Sequence, residues 1–296
     1  MIVVTTPTGQ IGSKVVDSLL ADRRAVRVIA RQPDRLPAEI RGRVEVVSGS
    51  SDDEAVLNRA LAGAECLFHV VPPLFGAPNV TEYYLQFARP ACAAMKRNGV
   101  SRVVTVSAVG RRGDARNAGL VSSCFEKDLA FERAGLDVRA LWCPGFMENM
   151  LRCVHTLRAQ GVFVGMSRPD LKVPYVATRD IAASATRLLL DSSWSGAGGL
   201  GVLGPEDVSL DDIAAITGEV LGRAVRYERV SAEAYRADLL KHGASRDFAQ
   251  RLIEMHEAKD RGLDNSEPRT PETNTPTSYR EWCNEVLKPA VLGSRA

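Results

Sequence analysis

The chain begins MIVVTTPTGQIGSKVVDSLLA, residues 1–21, and the reading of its first turn decides the fold. Ile2 to Thr5 is a β-rich apolar run, and from Ile11 to Leu20 apolar residues recur at helical spacing. Between them lies TPTGQIG, Thr6 to Gly12, with glycine only at positions 9 and 12. Glycines in a strand-to-helix turn let the chain bend sharply, let backbone approach a ligand, and let the helix pack on the strand. Gly9 and Gly12 serve the last two purposes. Thr6 stands where the first glycine is usual, and Pro7 after it narrows the range of φ. The N–H groups of Gln10, Ile11 and Gly12 still face out of a helix N-terminus, which is an anion site. Thr6, Thr8, Gly9, Gln10, Ile11 and Gly12 are therefore expected to cradle a pyrophosphate.

Further along, VRVIA, VEVVSG, CLFHVV, RVVTVSA and VRALWC alternate with segments of helical pattern, among them Asp53 to Leu61, Tyr83 to Asn98 and Ser122 to Ala134. Short strands separated by helices read as crossover units of a doubly wound parallel sheet. The expected fold is α/β and Rossmann-type. After Phe146 helices are expected at 178–191, 209–221, 232–242 and 245–262, with short strands in VPYVA and VRYERV. Asp264 to Ser278, rich in Pro and Thr, is expected to be a loop before a last helix around Trp282. The organisation expected is a nucleotide domain at 1–145 and a smaller, mostly helical substrate lobe at 146–296, interleaved with the first.

The second strand ends at Arg31, with Arg35 close behind, where the adenosine ribose of a dinucleotide would lie. An acidic residue there suits a free 2′-hydroxyl, whereas arginine suits a 2′-phosphate, so the cofactor expected is NADP(H); the plain alternative for Arg31 is a solvated surface residue.

Lys plus Arg number 38 and Asp plus Glu 36 in 296 residues, so net charge offers no case for nucleic acid or an anionic membrane. The partner expected is a small molecule; the oligomeric state is not legible. No basic leader or membrane-length apolar run is seen at the start, which reads as a cytoplasmic address. The six cysteines are scattered without metal-ligand spacing, so free thiols and no metal site are expected.

TPTGQIG, VRVIARQPDR, VVPP at 70–73, FMEN at 146–149, RDIA at 179–182, LGPEDVSLDDIA and TPTSYREW follow one another in an order that resembles the NmrA-like family of atypical short-chain dehydrogenase/reductases. The resemblance is nearest to its quinone reductases and ergot-alkaloid-type iminium reductases. It implies a Rossmann fold, NADP(H) in the cleft and a lid from the C-terminal lobe. The family also holds nucleotide sensors that act through a protein partner, and that is the alternative function.

Short-chain dehydrogenases use Tyr and Lys four positions apart, but Tyr83 and Tyr84 are followed at that spacing by Phe87 and Ala88, and Tyr279 by Cys283. Alcohol oxidation by that route is not expected. The resemblance places Cys124 where relatives hold a His or Lys facing the nicotinamide. Lys127, one turn on, is the candidate electrostatic donor; Cys124 reads more simply as packing than as a nucleophile. Ser107, at the end of the fifth strand, could bind substrate or the cofactor carboxamide, or cap a turn. Val70, Val71 and Pro72, with Pro144, would floor the cofactor site, and His69 would point into packing. Phe146, Met147, Met150 and Tyr175, with Met166, could line an apolar substrate pocket. Weak acid equipment favours hydride delivery to a quinone, an enone or a cyclic iminium, none of which needs a strong protein acid.

Overall fold

The computed structural model describes residues 1–113, 115 and 117–293. Six strands of the first half are β1 (Ile2–Thr5), β2 (Val26–Ala30), β3 (Glu45–Ser48), β4 (Cys66–His69), β5 (Arg102–Ala108) and β6 (Asp137–Cys143). Between them run α1 (Gly12–Ala21), α2 (Ala38–Arg41), α3 (Glu54–Leu61), α4 (Val80–Arg97) and α5 (Leu120–Arg133). The later strands are β7 (Gly145–Phe146), β8 (Val162–Gly165), β9 (Val173–Val176), β10 (Ala197–Gly201), β11 (Asp207–Val208) and β12 (Arg226–Arg229). Their helices are α6 (Val154–Gln160), α7 (Thr178–Leu190), α8 (Leu210–Leu221), α9 (Ala232–Lys241), α10 (Arg246–Asp260), α11 (Tyr279–Trp282) and α12 (Lys288–Leu292).

The main sheet has the order β10-β6-β5-β4-β1-β2-β3 and is parallel throughout. Strand side chains alternate between its faces. Ile2, Val4, Val28 and Val104 pack under α1 and α7, while Val3, Ile29, Leu67, Val103 and Val138 pack under α3, α4 and α5. Both faces are covered, so β1 and β4 are buried along their whole length. The order reverses between β1 and β4, and ligands of such sheets bind beyond the carboxyl ends of the strands at that point.

Several helices begin one residue later than their sequence pattern suggests, for one reason. Asp53, Ser209 and Ser245 each accept a hydrogen bond from a first-turn N–H and stand outside their helices as caps. Asn79 caps α4 in the same way and starts it three residues before Tyr83.

Two pieces of the chain beyond residue 145 return to the main sheet. β10, AGGLG, pairs with β6, and α7 packs against α1 through Ile181, Ala182 and Ala185. The remainder surrounds a separate core of Leu157, Phe163, Ile213, Tyr279, Trp282 and Leu287, with small sheets β11-β9-β7 and β12-β8. Glu148 ties the two together. Its carboxylate accepts from the Thr178 N–H and hydroxyl, at 3.0 and 2.6 Å, and from Trp282 Nε1 at 3.2 Å. Two residues after Thr178, Asp180 accepts from the Thr277 N–H and hydroxyl, and Arg179 between them pairs with Glu281 across 2.6 Å.

Candidate functional site

The turn after β1 forms a tight cradle. Thr6 sits at φ +50°, a left-handed conformation unusual for a β-branched residue, and its carbonyl accepts from the Gly9 N–H at 3.0 Å. That inward carbonyl explains the second glycine: a Cβ on Gly12 would lie 2.2 Å from Thr6 O. Gln10, Ile11 and Gly12 have no backbone acceptor for their N–H groups among the described residues. Three free donors at the head of a ten-residue helix fit an anionic pyrophosphate.

From this cradle a cleft of about 450 Å³ runs across the carboxyl ends of β1, β2 and β3, lined by Thr6 to Gly9, Arg31, Gln32, Arg35, Gly49 to Ser51 and Pro72. Arg31 and Arg35 are exposed, and neither has a carboxylate partner among the described residues. Its length, phosphate cradle and two unpaired guanidiniums fit the adenosine half of a nicotinamide dinucleotide. Val70 and Val71 lie outside that wall. The Val70 N–H and carbonyl are both tied to the Thr5 hydroxyl, at 2.8 and 3.2 Å, so Val70 fixes how the chain leaves β4. The Tyr83 hydroxyl donates to the Pro72 carbonyl at 3.0 Å and holds the same loop from α4.

At the carboxyl end of β5, Thr105 and Ser107 point toward α5 with the spacing of two that a strand imposes. Lys127 on α5 is 1 % exposed; its ammonium donates to Thr105 Oγ1 at 2.5 Å and to the Val106 carbonyl at 2.7 Å. It also pairs with the Asp128 carboxylate across 3.1 Å. The sequence reading makes Lys127 the candidate electrostatic donor; in the fold its ammonium is engaged by Thr105, Val106 and Asp128. Asp128, which sequence reasoning missed, is equally buried, and the Ser107 hydroxyl donates to its Oδ2. An acid beside a lysine on a helix looks like a solvated pair, so no sequence signal marked it.

Cys124 lies beside the Tyr84 hydroxyl, and burial pushes its thiol up from the ordinary value. A thiol so disposed is a poor nucleophile. His69 is fully buried edge-on to Phe131, without a hydrogen bond to either ring nitrogen among the described residues, and burial with the neighbouring Lys127 charge lowers it to about 3. It stays neutral and shuttles no proton.

The expected substrate wall is only partly drawn together. Phe146 is half-buried against the main core, and Pro144 is buried between β6 and β7. Met147, by contrast, is 2 % exposed within the core of the second lobe, and Met166 is 6 % exposed. Met147 is occupied with packing, whereas Met166 lies beside Arg229 and Asp260 instead. Met150 and Tyr175 are half-buried at the edge of that core, and the Tyr175 ring covers Gly145, where a Cβ would approach it to 2.9 Å. No helix of the described residues is long and apolar enough to cross a membrane, and no cluster of metal-ligating side chains is found among them.

A doubly wound sheet with a phosphate cradle at its switch point defines a dinucleotide-binding protein of the Rossmann class. The chain belongs to the NmrA-like family, whose model matches residues 1–283. It is 32% identical over 240 residues to a (4-alkanoyl-5-oxo-2,5-dihydrofuran-3-yl)methyl phosphate reductase of Streptomyces griseus, an alignment covering 81% of this chain and 80% of that one. With the festuclavine dehydrogenase of Aspergillus fumigatus it shares 30% identity over 60% of this chain and 59% of the relative. Among solved structures, an NADPH-dependent quinone oxidoreductase from Escherichia coli, complexed with NADPH, superposes with a TM-score of 0.79 at 24% identity, covering 97% of this chain and 100% of the other.

Proposed function

We propose that this NAD(P)H-dependent oxidoreductase uses NADPH to reduce a conjugated carbonyl compound, an enone or unsaturated lactone, by hydride delivery to the β-carbon rather than to the carbonyl carbon. The observation that carries the reading is the commitment, among the described residues, of the obvious proton donors at the carboxyl edge of β4 and β5. Lys127 is spent on Thr105 and Val106, Ser107 on Asp128, and His69 is neutral and enclosed. An ordinary ketone needs a proton on its oxygen as hydride arrives. A conjugated carbonyl takes hydride at the β-carbon and spreads the charge into an enolate that water protonates. A quinone belongs to the same electronic class. The related Streptomyces griseus enzyme, named for an oxo-dihydrofuran substrate, supports this choice.

When bound, nicotinamide supplies the hydride. The protein's part is positioning. The N–H groups of Gln10 to Gly12 would hold the pyrophosphate and Arg31, with Arg35, the 2′-phosphate; Pro144 and Phe146 close the far side of β6. The test is NADPH consumption, with and without oxygen, over matched pairs of unsaturated lactones or enones and their saturated ketone counterparts. Turnover of the conjugated member alone supports the proposal; equal turnover of the saturated ketone contradicts it. No turnover of any conjugated carbonyl or quinone, with NADPH bound, would favour the sensor alternative.

A further inference from the structure

The buried Ser107–Asp128–Lys127 arrangement has no part in the chemistry above, and the direction of its hydrogen bonds carries information. A carboxylate can only accept. Asp128, paired with the Lys127 ammonium across 3.1 Å, therefore takes the single proton of the Ser107 hydroxyl. No other hydrogen bond engages Ser107 Oγ among the described residues, and the residue keeps 6 % exposure at the carboxyl edge of the sheet. What remains on that oxygen is acceptor capacity. Lys127 in turn is anchored by Thr105 and Val106 of the same strand, so the polarity is fixed from inside the protein by Asp128, Lys127, Thr105 and Val106.

We propose that Asp128 is a positioning residue that locks Ser107 as a hydrogen-bond acceptor for the N–H donors of the nicotinamide carboxamide, and so selects cofactors that carry such a donor. The proposal rests on reading the cleft as a dinucleotide site. Replacing the carboxylate by an amide reverses the arrangement: in Asp128→Asn the side-chain NH₂ donates to Ser107, whose own proton then turns toward the ligand.

Dissociation constants of the full-length protein for three probes test this: NADP⁺, its 3-acetylpyridine analogue, in which a methyl ketone replaces the carboxamide and no N–H remains, and adenosine 2′,5′-bisphosphate, which lacks the nicotinamide half. Wild type should prefer NADP⁺ to the acetyl analogue by roughly three- to tenfold, the range of one net hydrogen bond. Asp128→Asn should erase or invert that preference, and Ser107→Ala, which leaves the buried ion pair intact, should erase it too. The double variant should match Ser107→Ala, because Asp128 acts through the hydroxyl. All variants should keep wild-type affinity for the bisphosphate. An unchanged preference in either single variant, or effects that simply add, overturns the inference. So does a parallel loss of bisphosphate affinity in both single variants, which marks a structural role. Failure of wild type to bind either NADP⁺ or the bisphosphate overturns the dinucleotide reading beneath it.

Discussion

Single residues set the cofactor end of the molecule. Gly12 and Thr6 are coupled through one carbonyl: Thr6 holds φ +50°, and its oxygen fills the space a Cβ on residue 12 would need. Gly12→Val should weaken NADPH binding by well over tenfold in a calorimetric titration. Thr6→Gly should leave affinity near wild type and shift stability by no more than about 1 kcal/mol, since relief of left-handed strain and the added freedom of glycine oppose one another. Arg31 belongs to the same scale. Two charge-assisted hydrogen bonds to a 2′-phosphate, as proposed for Arg31, would leave about 2 kcal/mol after exposure, somewhat more than a decade in affinity. Arg31→Ala should accordingly narrow the gap between NADP(H) and NAD(H), mainly by weakening the former, and added salt should narrow it in wild type. The positions of these residues were legible in the sequence because a turn and a strand end have fixed places along the chain. Asp128 was not, because its meaning depends on which face of α5 meets β5.

Elements show the same division. Every strand of the first half could be read from its apolar run; most helix starts differ only where a cap residue stands outside the helix, whereas α5 begins two residues before Ser122, at Leu120, behind Gly119, whose φ is positive. β10 escaped notice because AGGLG has no β-rich signature; it is a strand only because β6 offers its edge. The meeting of FMEN with RDIA and TPTSYREW was likewise invisible in sequence, since Glu148 and Trp282 are 134 positions apart. β4 carries a consequence for pH. His69 is lowered from 6.5 to about 3, chiefly by burial, and His256 on α10 to about 4 for the same reason. The unfolded chain binds protons at these sites as pH falls below 6.5 while the native chain does not, so stability is lost on acidification toward pH 4. Between pH 7 and pH 5 each histidine should account for about 2 kcal/mol of that loss. Urea unfolding at the two pH values measures it, and His69→Phe should reduce the difference by about 2 kcal/mol. An unchanged difference would mean that His69 is protonated in the folded protein.

At the scale of the whole molecule, a sheet that gathers free N–H groups and unpaired guanidiniums at one end of its cleft offers few free acids at the other among the described residues. Ser107, Lys127 and Asp128 lie at the carboxyl edge where reduction would occur, yet their hydrogen bonds run into the protein. Sequence reasoning reached the scarcity of acid from the missing Tyr and Lys pair, but it could not foresee that the packing of α5 on β5 engages the Lys127 ammonium with Thr105 and Val106. The functional claim thus concerns where hydride goes. Incubation of the enzyme with an α,β-unsaturated lactone or enone and NADPH dideuterated at nicotinamide C4, with the product examined by NMR, measures that directly. The account predicts one deuterium on the former β-carbon and an intact carbonyl. Deuterium on the carbonyl carbon of an allylic alcohol would contradict it.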